Sequence, residues 1–350
     1  MSLSLGKNNK VMIIDRTIPE ILTKKGSMKR LETVYFCWML KEIGVDFIEI
    51  DAEFLKLNAK LPVGLDFMLR IRSKEDIFKC VNNGIKKCIV PEELLADTDM
   101  IAQIKSYGIK IMVEVSIEKI GHIERIRKLS NLEEIDEIRL TGMDAIFSLF
   151  WIDKVKSLAK ALNKGINICP QNTFYNATAL CVEGVMNGLN SITVSFLGYG
   201  QNNEFAALEE VLAAVKVLVN PNLKLDLTKL PELAGCFTSL TGKQIPDNKP
   251  IVGKGIFYYQ AGIHADGIEK DPLTYEPFDP SMVGLTRTLT IGKHSGRRAV
   301  QRKLKELGIA CKVGDAAQIL KTIREKSTQY KRDLFDEEIL DIYKSLDFIR

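Results

Sequence analysis

Leu40 to Ile50 reads LKEIGVDFIEI: the tail of a helix, a glycine, then a short apolar run. Glycine suits the position just past a helix, where a left-handed backbone is needed. The same cadence returns in VNNGIKKCIV (81–90), KSYGIKIMVEV (105–115), LNKGINIC (162–169) and VMNGLNSITVSF (185–196). The runs after the glycines are rich in Val and Ile and almost continuously apolar, as in strands covered on both faces. Ahead of the first run, Leu31, Val34, Tyr35 and Trp38 fall at i, i+3, i+4, i+7 and predict a helix that buries that stripe. Strands are expected near 11–15, 45–51, 66–71, 87–90, 109–116, 135–141, 166–169 and 191–197, with helices between them and another at about 206–219. Such alternation argues an α/β fold, a (β/α)8 TIM barrel. A doubly wound open sheet is the rival, but no GxGxxG follows the first strand to support it.

The chain has 350 residues, 46% hydrophobic and 27% charged, which suits a globular protein with one large domain and an appendage. Lys plus Arg number 49 against 45 Asp plus Glu, and a net charge of +4 over this length makes no case for nucleic acid. No apolar run is long enough to cross a bilayer, and the N-terminus lacks a signal-peptide core. The seven cysteines are odd in number, scattered and free of any CxxC pair, which fits a reduced cytoplasm. After about residue 242 the texture changes. TGKQIPDNKPIVGKG (241–255) is a polar connection, HADGIEKDPLTYEPFDPSMVG (264–284) is loop-rich, and charged helices follow. The expected division is a barrel over 8–242, a loop-rich linker subdomain over 243–290 and a small helical subdomain over 291–350.

Chemistry in such barrels sits at the C-terminal ends of the strands. Strand 1 ends IIDRTIPE (13–20), where Asp15 and Thr17 share one parity and Arg16 the other. Glu20 reads as a metal ligand, a general base or a solvated loop carboxylate. Strand 5 runs out through VEVSIEK (113–119), bringing Glu118 near the mouth, where a first-turn helix acid is the plainer reading. Strand 7 runs through GINICPQNTF (165–174), and period two puts Cys169 and Gln171 on one side of it. That is the geometry of a ligand pair with poor chemistry: a neutral amide, and a cysteine that serves equally well as a small buried hydrophobe. Pro170 ends the ladder pairing there. Strand 8 offers the Ser195 hydroxyl, and nothing polar at Leu197. The chain holds only three histidines, His122, His264 and His294, with no HxH pair, so any metal site must manage with few imidazoles. His122 reads as a surface residue of a charged helix, and His294 as part of a turn.

These residues resemble a known family. AGIHADGIEKDPLTYEPFDP (261–280) and IGKHSGR (291–297) closely resemble the C-terminal region of homocitrate synthases of the nitrogen-fixation type, and of isopropylmalate and citramalate synthases. GYGQNNEFAALEEV (198–211) resembles that family's strand-8 loop and helix. The resemblance implies a metal-dependent acyltransferase that joins acetyl-CoA to a 2-oxo acid by Claisen condensation and hydrolyses the thioester. A divalent metal held by a strand-1 carboxylate and a strand-7 HxH pair polarises the keto acid, and an Arg beside the carboxylate stabilises charge on oxygen.

Carried over position by position, the resemblance puts Pro19 at that Arg and Glu20 at the carboxylate. It puts Cys169 and Gln171 at the HxH pair, and Asn172 at the Asn after it. Ser195 and Leu197 fall on the Thr and Asn of the strand-8 motif. Glu118 matches a family Glu, while its neighbours become Lys119 and His122. Both imidazoles and the guanidinium are thus replaced. One lost preorganised donor costs ~10²–10³ in rate, and two lost ligands of three abolish tight binding of a catalytic metal. No metal is expected on this chain. The tail keeps His264 and Tyr275, which in the family cross to a partner's active site, the His assisting proton transfer. The expectation is therefore a non-catalytic subunit that donates His264 and Tyr275 in trans, as a homodimer or as a hetero-oligomer with a catalytic homocitrate-synthase-type chain. Two alternatives stand beside it: a self-sufficient acyltransferase with a Glu20/Cys169/Gln171 metal site, and a regulatory barrel for a small ligand.

Overall fold

The structure is a computed structural model that describes residues 3–4, 10–25, 29–58, 60–117, 120–143, 150–200, 205–223, 225–260, 267–268, 270–309 and 315–346. The chain divides into two compact units, Met1–Ile245 and Pro246–Arg350.

The first unit is a (β/α)8 barrel. Its strands are β1 (Lys10–Asp15), β2 (Phe47–Ile50), β3 (Phe67–Arg70), β4 (Lys87–Pro91), β5 (Lys110–Ser116), β6 (Glu137–Thr141), β7 (Gly165–Cys169) and β8 (Ser191–Val194). Each pairs in parallel with the next, and the sheet closes on itself where Met12–Asp15 of β1 pair with Ser191–Val194 of β8. The helices around it are α1 (Thr17–Lys25), α2 (Arg30–Glu42), α3 (Ala52–Leu57), α4 (Lys74–Asn82), α5 (Thr98–Ser106), α6 (Trp151–Leu162), α7 (Ala177–Met186), α8 (Leu208–Ala214) and α9 (Leu230–Thr241). Val215–Val219 continue α8 as a π-helical turn, and Ile120–Lys128 form a 3-10 helix. No described helix is long and apolar enough to cross a membrane.

The glycine cadence has a conformational cause at most of its positions. Gly44, Gly84, Gly108 and Gly188 all take positive φ just past a helix. Gly165 does not. There Asn163 turns the chain at φ 50, leaving Gly165 inside β7. Strand 8 also departs from the sequence expectation. It stops at Val194 because Phe196–Gly198 form a 3-10 turn with Leu197 left-handed at φ 59.

The face predicted for α2 is corrected as well. Leu31, Tyr35 and Trp38 are exposed, and the helix buries Thr33, Phe36, Cys37, Met39 and Leu40 instead. Phe36 meets Phe196 and Phe237 edge-on or tilted, at centroid distances of 6.2 and 6.4 Å, so an aromatic cluster beneath the helix sets its rotation.

The second unit has its own core. A parallel pair, β9 (Tyr258–Tyr259) with β10 (Thr288–Leu289), lies among α10 (Arg297–Glu306), α11 (Asp315–Tyr330) and α12 (Asp336–Ser345). Leu289, Val300, Ile319, Ile323, Ile339 and Ile342 pack together there with little or no exposure.

Candidate functional site

Barrel interiors usually stack bulky apolar side chains, and one layer here does so, with Ile14, Met68, Ile89 and Met112 packed together beside Phe47. Two residues further along β2, β3 and β5 the inward parity turns ionic, and Arg139 of β6 joins that layer. Arg70 donates to both Glu49 (2.8 Å) and Glu114 (2.7 and 2.8 Å). Arg139, fully buried, donates to Glu49 at 2.6 Å and to Glu114 at 3.2 Å, and its Nε to Asn167 Oδ1 at 3.1 Å. Asn167 in turn bonds Thr193 and Ser191, both at 2.8 Å, so the network crosses the barrel from β2 to β8. Burial works against the Glu49 charge, but Arg139 and Arg70 more than offset it and hold that carboxyl well below its ordinary range. Burial likewise opposes the Glu114 charge, and the Arg70 hydrogen bonds prevail, bringing it to about 2.

Above this layer lies the mouth. β1 leads straight into α1 through Asp15, Arg16 and Thr17. Asp15 accepts from the Thr17 N–H (2.9 Å) and hydroxyl (2.8 Å), and the Phe196 N–H donates to Thr17 Oγ1 at 2.7 Å, which ties the start of α1 to the turn after β8. Burial raises the Asp15 carboxyl to about 7 despite these donors. Pro19 occupies the first turn of α1, where a missing N–H costs the helix nothing.

Arg16 and Glu20, four residues apart, face each other across that first turn. Nη2 of Arg16 donates to Glu20 Oε1 at 2.8 Å, with both side chains 13% exposed. Nη1 reaches Cys169 Sγ at the end of β7, at 3.5 Å. The guanidinium also lies 4.1 Å from the centroid of the Phe205 ring. Phe205 is brought there by an antiparallel bridge to Gln171 and by its N–H bond to Gly198 O at 3.4 Å. Only glycine fits at 198, because φ is +65 and a Cβ would lie 2.7 Å from Phe205 O. Burial works against the Arg16 charge, and the Cys169 sulfur with Glu49, Glu20 and Glu114 more than restores it. Burial pushes the Cys169 thiol up, against the pull of Arg16 and Arg139.

The structure thus brings Glu20, Cys169 and Gln171 to one end of the barrel. Asn172 serves the fold there, its Oδ1 accepting from Ala177 N (3.1 Å) at the start of α7. Ser195 is fully buried in a bridge with Ala207, and its hydroxyl has no hydrogen-bond partner among the described residues. Among the described residues no group of three or more His, Cys, Asp or Glu converges to hold a metal. Glu118, Lys119, His264 and the side chain of His122 lie outside the described residues. In the second unit, Tyr275 is 47% exposed, and its ring lies against Gly267, where an added Cβ would come within 2.3 Å of Cε2. The loop is braced by Arg287, which bonds Glu276 at 2.8 and 2.9 Å and Asp279 at 3.1 Å. His294 is exposed in its turn, which is held instead by Ser295 Oγ accepting from Gly292 N at 3.0 Å.

Comparison with known proteins bears on this arrangement. The chain is 34% identical over 339 residues to the homocitrate synthase omega subunit of Clostridium pasteurianum, covering 95% of both chains. The chain belongs to the homocitrate synthase and isopropylmalate synthase family. Within that family it is also 27% identical to 2-isopropylmalate synthase 2 of Caldanaerobacter subterraneus subsp. tengcongensis, over 98% of each chain. Residues 251–331 match the family model described as homocitrate synthase post-HMGL domain-like. The barrel is similar to hydroxymethylglutaryl-CoA lyase from Pseudomonas aeruginosa, with a TM-score of 0.55 at 13% identity over 67% of this chain and 94% of that one. That likeness speaks to the fold alone.

Two features of the site escaped the sequence reading. One is Arg16, for which the strand pattern supplies only a parity. Its signal was the i, i+4 spacing to Glu20 in a helix that starts right after the strand. The other is the ionic layer, visible as single charges on the inward parity of apolar strands: FIEI, FMLR, VEV and IRL.

Proposed function

We propose that this family member is a subunit whose own barrel does not perform the condensation, and that it supplies His264 and Tyr275 to the active site of a partner, a second copy or a catalytic homocitrate-synthase-type chain. The family reaction joins acetyl-CoA to a 2-oxo acid, and the divalent cation, where bound, polarises the keto acid. The residues of this mouth do not fit that cation. Glu20 is ion-paired with a guanidinium, Cys169 is a buried thiol beside the same guanidinium, Gln171 offers a neutral amide, and Pro19 offers no donor. The observation that carries the reading is Arg16 lying between the two strongest ligand positions.

In the partner's site, His264 would hold or move the proton, and the Tyr275 ring, seated on Gly267 three residues along from it, would line the same loop. Glu118 and Ser195 remain the candidates for any residual chemistry in this chain's own barrel. The omega designation of the Clostridium relative supports a multi-subunit enzyme, and the scattered free cysteines support a cytoplasmic one.

The test is co-expression with a chain that carries the complete ligand set. Condensation should require the mixture, and His264→Ala in this chain should lower its kcat by roughly 10²-fold or more. Unchanged turnover in that variant assembly would contradict the donation in trans.

A further inference from the structure

We infer that Arg16 is a resident cation standing in for the divalent metal at the barrel mouth, and that it is the guanidinium, more than the altered ligands, that keeps metal out. Remove it, and Glu20 with Cys169 should form a site for a thiophilic divalent cation such as Co²⁺ or Zn²⁺. This rests on the reading that the chain's own barrel is not the catalytic one.

One guanidinium satisfies two ligand positions at once. A carboxylate on the first turn of α1 and a sulfur at the end of β7 meet the two terminal nitrogens of Arg16, at 2.8 and 3.5 Å. Both therefore face a common centre, although they are 149 residues apart (169 minus 20). Phe205 covers the guanidinium face, as an aromatic ring covers a delocalised, weakly hydrated cation and not a hydrated metal ion.

Charge balance points the same way. Counting the ion-paired groups at the mouth and in the layer beneath it, and leaving aside Asp15 and Glu209, which accept from backbone N–H groups, three guanidinium groups, Arg16, Arg70 and Arg139, face three carboxylates, Glu20, Glu49 and Glu114. A divalent cation added to that balanced set would leave an uncompensated positive charge in a poorly solvated pocket even if the Cys169 thiol gave up its proton. Without Arg16 the set carries one net negative charge. A divalent ion that binds and releases the Cys169 thiol proton to solvent then restores neutrality. Carboxylate oxygen and thiolate sulfur are both donors that zinc and cobalt accept, with Gln171 and water to complete the shell.

The experiment is titration of the purified full chain with Co²⁺ under anaerobic, reducing conditions, read by near-ultraviolet sulfur-to-cobalt absorption. The unsubstituted chain should show no such band. Arg16→Ala should bind about one ion per chain, roughly tenfold or more tighter than the unsubstituted chain, with a band that disappears in Arg16→Ala/Cys169→Ser. If the alanine variant does not fold, Arg16→Gln removes the charge while keeping much of the bulk, and the same gain is expected. A thiolate band in the unsubstituted chain, or a folded Arg16 variant with no gain, would overturn the inference. Because the assay uses the isolated chain without a partner, its failure leaves the donation of His264 in trans to its own test.

Discussion

At the scale of the residue, the interior is governed by charges that cannot be removed singly. Glu49 has no exposure and serves both Arg70 and Arg139, so Glu49→Gln leaves the two guanidinium groups to share the single carboxylate of Glu114. Breaking such a pair costs about 3–5 kcal/mol, and urea unfolding should show a loss of that order. Glu53→Gln, which removes a solvated partner of Lys56, should change the same measurement by less than about 1 kcal/mol. Protons report on the same layer. Glu49 and Glu114 are held below the ordinary carboxyl value of 4.5, so their stabilisation is complete above that pH and is lost as pH falls toward 2. Asp15 has the opposite sign. Its carboxyl is raised from 3.8 to about 7, so its contribution is intact below 3.8 and lost as pH rises through 7. Asp15→Asn should therefore gain stability relative to the unsubstituted chain between pH 4 and 7, seen as a rising difference in urea midpoints. A constant difference across that range would argue against a buried, protonatable Asp15. Little of this was legible beforehand, because a lone charge in an apolar strand does not announce its partner. Glu49 and Glu114 are 65 residues apart (114 minus 49) and meet only through barrel closure.

At the scale of the element, legibility was high for strands and lower for helix faces. The apolar runs, five of them announced by a glycine, matched the barrel strands to within a few residues, because strands buried on both faces carry few polar interruptions. Helix α2 was harder. It carries two overlapping apolar stripes, and spacing alone favoured Leu31, Val34, Tyr35 and Trp38. The aromatic cluster under Phe36 belongs to Phe196 and Phe237, 160 and 201 positions later (196 minus 36, 237 minus 36), and no local pattern reports it. The two readings predict different mutants. Leu40→Ala should cost about 2–5 kcal/mol, as a fully buried leucine does. Leu31→Glu, at 84% exposed, should stay within about 0.5 kcal/mol. Comparable losses from both would restore the stripe read from spacing. The end of strand 8 failed for a different reason: a left-handed Leu197 is not a propensity that leucine displays.

At the scale of the whole molecule, family membership goes with a barrel mouth at which Arg16 meets Glu20 and Cys169. The tail carries HADG (264–267) and TYEP (274–277), and the Tyr275 ring of the second lies against Gly267 of the first. The barrel has a closed sheet and a bridge from Gln171 to Phe205, and it places Arg16 between Glu20 and Cys169. In the sequence, Pro19, Cys169 and Gln171 stand where the family resemblance leads one to expect an Arg and two His. The cation among them emerged only with the fold, since α1 had to begin immediately after β1 for Arg16 to turn toward Cys169. The most direct measurement is product formation from acetyl-CoA and a panel of 2-oxo acids with divalent metal present. The purified chain is assayed alone and then mixed with a chain that bears the complete ligand set. Silence alone and turnover in the mixture is the predicted result. Condensation by the isolated chain, with a stoichiometric metal ion retained after dialysis, would contradict it.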